Sequence, residues 1–486
     1  MGQRARVFAV ALIVRGGIAF LFFGSVDMTN AILDAERLLR GALPSSLNVP
    51  YLPGVQALIW AAAVLSFHAW PVTFFYKIFG CLFDSAIAAQ LVDARGSRAG
   101  WLYAFAPVPI FIVAIHGQWD SISLALFLAA LMLLRRPGLR PAAAAGMLYV
   151  LSVIVKPLAL PFLLFFFPAP WLWGREVERR RVIAILAGIT ATLALYVLTL
   201  RALGDPLHYR TIEHILDYAR GGVTYLGLPH AFGFMGQNRM LLLLPILILL
   251  LLYWKGRIGR ETAILLGYAF ILGTAGLSAQ YLAWLVPFLL LRGHDRFLAI
   301  YSLLAGIYLT FFYTTPGIGA IQFENLAAMA PLRPLSWLTP AFSQIEAKTW
   351  AIAIIGNLLL PLSCLAFLAG MAWRRTPEAD AEQPASVSPL WTAGMSTALL
   401  LLIALALPRP DADAFVTHTH AKAAAYDMNR MTIPGEPKWA IRSYGAARWQ
   451  RRPDASDLAI LWIVVWSGMA FRGRANQRSW PGRPKR

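Results

Sequence analysis

The chain has 486 residues, of which 58% are hydrophobic and only 14% charged, with a mean hydropathy of +0.60 and a net charge of +19. A water-soluble protein of this length has no interior large enough for so much apolar surface, so lipid has to act as part of its solvent. In a soluble chain the positive charge would raise the question of nucleic acid; here it sits in short clusters between apolar runs, the pattern that orients a chain in a membrane.

Runs such as Met240–Trp254 have no polar face, and in hydrocarbon such runs satisfy their backbone as helices. The alternating pattern of a membrane β-barrel is absent. The expected class is all-α, a polytopic transmembrane helix bundle of about 13 spans with a long amphipathic first outer loop.

Arg4 and Arg6 precede an apolar run that lacks a small-residue cleavage site, so the N-terminus reads as an uncleaved signal-anchor. Later clusters at Arg95/Arg98, Arg135/Arg136/Arg140, Arg175/Arg179/Arg180/Arg181, Lys255/Arg257/Arg260, Arg292/Arg296 and Arg374/Arg375 mark cytoplasmic loops when two crossings separate each from the next. That rule places paired crossings near 7–24 and 71–92, 100–115 and 120–134, 141–156 and 158–173. It continues with 182–201 and 239–254, 261–276 and 280–291, 297–313 and 349–371, and a last one at 391–407.

Val55–Ser66 is apolar but short, and counting it as a crossing would turn every later cluster outward. It is expected to lie in the outer interface or to enter part-way, within a first outer loop of residues 25–70. Other outer loops fall at 202–238 and 314–348. Residues 1–408 are expected to form the membrane domain, and 409–486 a basic C-terminal tail in which 458–471 is either a final crossing or an interface helix. Cys81 and Cys364 fall in apolar segments and read as small buried hydrophobes.

The sharpest local signal is His116-Gly-Gln-Trp-Asp120 at an outer junction, with an imidazole, an amide, a carboxylate and an indole beside a glycine. A polar turn with an interfacial tryptophan accounts for it as well as a site does; its outer placement favours the site. Asp27 follows the first crossing and shares a helical face with Asp34, fitting either a general base or a carboxylate favoured by a helix N-terminus. Lys77, Lys156, Arg201 and Arg239 stand near outer ends of crossings. Singly each reads as a snorkelling cation; together they have the chemistry to receive a phosphate. Ser278-Ala-Gln280-Tyr281 with Trp284 marks another outer turn, read as helix glue plus interfacial aromatics or as part of a site. Arg15 and Asp84 lie at matching depth on the first two crossings and are expected to pair as buried structural ions. There is no P-loop, dinucleotide fingerprint, HExxH or nucleophile elbow, and His418/His420 are too isolated for a metal site.

Asp27, Tyr51-Leu-Pro-Gly, His116-Gly-Gln-Trp-Asp120, Lys156-Pro157 and Ser278-Ala-Gln-Tyr-Leu-Ala-Trp284 together resemble the GT-C superfamily of polytopic glycosyltransferases that use polyprenyl-phosphate-linked sugars. The likeness is greatest to the GPI-type mannosyltransferases, the oligosaccharide-lipid glucosyltransferases and their bacterial relatives, and it covers roughly the first 370 residues. It implies a GT-C-like catalytic domain over 1–408. The implied reaction is inverting transfer of a sugar, mannose by default, from a polyprenyl-phosphate donor to a lipid or glycan acceptor. The site would face the periplasm or exterior of a cell inner membrane. By position the family's first-loop acid falls on Asp27 as general base. Asp34, Tyr51, His116, Gln118, Asp120, Gln280 and Tyr281 would bind substrate, and Lys156, Arg201 and Arg239 the donor phosphate. Family members often carry paired acids or Tyr-Pro-Pro in that loop; here Asp27 is single and Tyr51 is followed by Leu-Pro, so no metal or other cofactor is indicated. The implied partners are the donor, the acceptor and membrane lipids, with no nucleic acid. A transporter of lipid-linked sugars would use Arg15, Asp84 and Lys156 as relays, but no internal inverted repeat is evident. A membrane acyl- or phosphotransferase would use His116 as base.

Overall fold

A computed structural model describes residues 2–21, 55, 58, 59, 61, 62, 72–202, 243–274, 279–314, 354–373 and 455–472. Among these residues all regular structure is helical. In chain order come α1 (Gln3–Leu21), α2 (Val72–Arg95), α3 (Ser97–Ala104) and α4 (Pro107–Ile110), which runs on as a π turn over Phe111–His116. Next are α5 (Asp120–Leu134), α6 (Leu139–Val155), α7 (Glu176–Ala202), α8 (Leu243–Trp254), α9 (Arg260–Thr274) and α10 (Leu285–Leu291). The last are α11 (Asp295–Thr314), α12 (Leu360–Trp373) and α13 (Ala455–Arg472).

Within α2 and α7, Phe74–Arg95 and Glu176–Thr199 are long and apolar enough to cross a membrane; α3 with Pro107–His116 would make a third, bent by 46°. Seven further apolar helical stretches run 10–17 residues, short of the ~20 that a straight span needs. By length and composition together the described helices supply two or three spans, against the about 13 expected from charge counting. The expected crossing at 391–407 lies outside the described residues.

Proline decides where the expected crossings break. The run at 100–115 divides at Phe105–Ala106 because Pro107 has no N–H to continue the helix and restricts the residue before it. The run at 158–173 is a 3₁₀ helix over Pro157–Phe166 and a single turn at Pro170–Leu172, with Pro161 inside the first. Its carbonyls are met from other helices. Tyr268 Oη donates to Leu158 O at 3.2 Å, Tyr149 Oη to Leu160 O at 3.3 Å, and Arg260 Nε to Phe165 O at 2.8 Å. The run at 280–291 likewise opens as a 3₁₀ helix, Ala279–Trp284, before α10.

The pair expected at Arg15 and Asp84 forms, with side chains 0% and 1% exposed. Arg15 Nε donates to Asp84 Oδ2, and Tyr103 Oη donates to Asp84 Oδ1 at 2.6 Å. The rest of the guanidinium caps the broken helix: Nη2 donates to Tyr103 O at 3.0 Å and Nη1 to Ala104 O at 2.6 Å. Tyr103 O is the carbonyl that would face the nitrogen of Pro107 in a continuous helix. Lys77 departs from the snorkelling expected of it. It is 0% exposed, and its Nζ donates to Ala19 O at 3.3 Å, one of the last carbonyls of α1, where a cation also suits the helix dipole. Cys81 and Cys364 are buried and free, as expected.

The basic clusters meet at one end of the bundle. Arg4 pairs with Asp93 at 3.0 Å, Arg98 with Asp295 at 3.1 Å and Arg135 with Glu261 at 2.9 Å, while Arg181 Nη2 donates to Leu134 O at 2.8 Å. Helices α2 and α5 run side by side in the same direction, since Ser121 Oγ bonds Gly80 O at 3.0 Å and, further along both, Gln90 Nε2 bonds Ala125 O at 3.2 Å. Both sets of clusters therefore share that end. Away from it, α7 and α8 expose large apolar side chains, among them Leu195, Leu198 and Leu244 at 61–65%. A face of this kind marks contact with lipid or another protein.

Arg15→Met leaves a buried carboxylate without its cation and Ala104 O without its side-chain donor. It is expected to destabilise the protein by about 3–5 kcal/mol, read as the shift in its denaturation midpoint in detergent. An unchanged midpoint would show that the pair does not hold the break.

Candidate functional site

Three local features set the site. The π turn ends at His116, and Gly117 at φ +83° reverses the chain so that Gln118 N bonds Ile112 O at 3.0 Å. That left-handed conformation is one a side chain strains, which accounts for glycine between the histidine and the glutamine. Trp119 then caps α5, whose first residue is Asp120, a carboxylate at the positive end of the helix dipole. Pro157 keeps Lys156 out of the α region, so α6 stops at Val155 and Lys156 stands as its extended C-cap, a cation at the negative end.

These two helix ends face each other. Lys156 Nζ donates to Asp120 Oδ2 at 2.6 Å and to Gln118 Oε1 at 3.3 Å. Asp120 is 0% exposed, and its other oxygen accepts from Trp284 Nε1 at 2.6 Å. Gln118 Nε2 lies 3.3 Å from His116 Nε2. Lysine can only donate, so it takes the amide oxygen and turns the NH2 toward the imidazole, where His116 Nε2 is the facing atom. The ammonium lies 5.6 Å from the centroid of Tyr281, whose ring packs against Trp284 at 4.1 Å. Lys156 keeps a side-chain exposure of 16%.

A second layer fixes the first. Ser123 Oγ lies 2.9 Å from Ser152 O and 3.0 Å from Lys156 O, and Ser152 Oγ returns a bond to Ser123 O at 2.8 Å. The start of α5 is thereby clamped to the end of α6. Trp119 donates to Tyr76 O at 3.1 Å, and its ring lies tilted against that of Tyr76 with centroids 4.0 Å apart. Val55, Ile59 and Ala62, at helical spacing in the first loop, are buried against Tyr76, Trp119 and Ile122. These loop residues therefore pack on Trp119 of the His116–Asp120 turn.

The structure thus gathers His116, Gln118, Asp120, Lys156 and Tyr281 from three separate stretches of sequence. Gln280 is half-buried beside Tyr281 and makes no hydrogen bond to the group among the described residues. Arg201 is exposed in the last turn of α7, apart from the group. Asp27, Asp34, Tyr51 and Arg239 lie outside the described residues. Sequence reasoning missed Ser123 and Ser152 and gave Trp284 no role of its own. The one signal for the serines was the presence of hydroxyls in two consecutive apolar runs. Among the described residues no three of His, Cys, Asp and Glu stand together as a metal site would require.

Asp120→Asn and Lys156→Met are each expected to cost about 3–5 kcal/mol, because each strands a buried charge. In the double variant the losses should fall short of additive by about 1–3 kcal/mol, measured as a double-mutant cycle. Strict additivity would show that the two groups do not work as a pair. No protein-family model, curated protein or solved structure matches this chain.

Proposed function

We propose that the chain is a polytopic membrane enzyme, an inverting glycosyltransferase that moves a sugar from a polyprenyl-phosphate donor to a lipid or glycan acceptor. The proposal places the polar group on the non-cytoplasmic side of a cell inner membrane. The observation that carries it is a partly buried lysine, Lys156, whose ammonium is held by Asp120 and Gln118 beside an aromatic wall at the end of the bundle away from the basic clusters. Helix α5 separates the two ends by its 15 residues, about 22 Å. The exposed apolar faces of α7 and α8 support the membrane setting, since a lipid-borne donor has to arrive laterally through such surfaces.

In this proposal Asp27 takes the proton of the acceptor hydroxyl, and the hydroxyl oxygen attacks the anomeric carbon opposite the phosphate. The bond from that carbon to the phosphate oxygen breaks, the configuration inverts, and polyprenyl phosphate departs with the electron pair. Charge grows on the leaving phosphate, and the Lys156 ammonium stabilises it from a fixed position. Asp27 lies six residues beyond the end of α1 at Leu21, so it is tethered within about 20 Å of that end. His116 and Gln118 orient the sugar or acceptor. Asp120, with both oxygens engaged, positions Lys156 instead of touching substrate. In the Arg15–Asp84–Tyr103 network each carboxylate oxygen already holds a donor and the guanidinium serves backbone carbonyls, which favours a structural role over a transporter's relay.

The test is incubation of the purified protein in lipid with a labelled polyprenyl-phosphate sugar. Loss of donor is expected, with turnover abolished and donor binding retained in Asp27→Asn. Lys156→Met is expected to lower kcat by about a hundredfold or more. A donor that stays intact with the wild-type protein refutes the transferase and favours carriage of the lipid-linked sugar. Cysteines introduced at 27 and 116 should label from the side opposite a cysteine at 135; labelling from the same side ends the proposal.

A further inference from the structure

The apolar stretch expected within the C-terminal tail is helix α13, and it is embedded in the bundle. It packs antiparallel along α11: Ile463 fills the space over Gly306, where an added Cβ would come within 2.9 Å of it, and Phe471 lies 5.9 Å from the guanidinium of Arg296. The direction follows from those two contacts, since α13 ends where α11 begins, among the basic clusters.

Two tryptophans of α13 reach the broken segment 97–116. Trp466 is 1% exposed, and its Nε1 donates to Leu102 O at 3.0 Å. In an unbroken helix that carbonyl would accept from Ala106 N–H, but Ala106 N bonds Tyr103 O at 3.1 Å instead, so the break frees it. The carbonyls of Leu102, Tyr103 and Ala104 are therefore met in order by Trp466, Arg15 Nη2 and Arg15 Nη1, donors from opposite ends of the chain. An unmet carbonyl in apolar surroundings costs about 1–3 kcal/mol, so the bend has reason to hold only while these donors are present. Trp462, one turn before Trp466, stacks on Phe111 with centroids 6.4 Å apart, and Phe111 opens the π turn that closes at His116.

We propose that α13 is a positioning element of the site: Trp466 and Trp462 hold the 97–116 segment in the bend that aims His116 and Gln118 at Lys156. A stretch more than 330 residues from the His116 turn then belongs to the machinery, and Trp466 acts on the chemistry through Leu102 and the π turn. The proposal rests on reading the Lys156 group as the working site only where it predicts turnover.

The experiment uses three full-length variants. Trp466→Phe removes the N–H and keeps an aromatic ring, Trp462→Leu removes the stack, and Val464→Ala alters a side chain on the 49% exposed face of the same helix. Amide hydrogen exchange is followed in lipid. Trp466→Phe and Trp462→Leu are each expected to speed exchange in 105–118 roughly five- to tenfold while 120–155 stays as in the wild type, and Val464→Ala should change neither. In the sugar-transfer assay the first two variants should lower kcat and leave the KM for donor unchanged. Unaltered exchange in 105–118, or a rise spread evenly through 120–155, overturns the proposal. Because exchange needs no activity, a wild-type protein that transfers no sugar would sink the transferase reading and leave this one standing.

Discussion

Backbone carbonyls released by proline set the terms for the rest of this structure. An apolar helix meets its own hydrogen bonds until a proline interrupts it, and the freed oxygens then need donors that apolar neighbours lack. Here the donors come from afar. Arg15 and Trp466 serve the break before Pro107, while Tyr149, Tyr268 and Arg260 serve the 3₁₀ run after Pro157. Each such bond ties a break to a second helix, so the interruptions work as the joints of the bundle.

Both joints lead into the same polar group. The first ends in the π turn and His116, and the second begins at Lys156. Between them Asp120 and Lys156 complement two helix dipoles as well as each other, which gives a buried pair more than its mutual attraction to offset the loss of water. The serine clamp and the Trp284 bond remove the remaining freedom of the carboxylate. The result is a small polar group on an otherwise apolar scaffold, with His116 and Gln118 buried and Lys156 partly exposed.

The two ends of the molecule divide the charge. Ion pairs among the clusters tie loops that are far apart in sequence, Arg98 to Asp295 and Arg135 to Glu261, at the end opposite Lys156. They are partly exposed and each contributes little to stability. Their effect is to gather positive charge on one face, which in the proposed bilayer fixes which way the polar group points.

Composition and run length determined that the chain is helical, and residue depth alone paired Arg15 with Asp84, because equal distances from two basic loops put both at one level. The sequence also marked His116–Asp120 and Lys156-Pro157, since glycine at +83° and the residue before proline are local constraints that a few letters express. Tertiary structure alone decided the rest. That Asp120 turns to Lys156 and Trp284 follows from how α5, α6 and the 279–284 turn meet, a relation over as many as 164 residues that no local pattern encodes. The burial of Lys77 depends on the orphan carbonyls of a different helix, and the docking of α13 on freed carbonyls that exist only once Pro107 has broken its helix. Sequence periodicity states which face of a helix is apolar; it is silent on which distant donor completes a break.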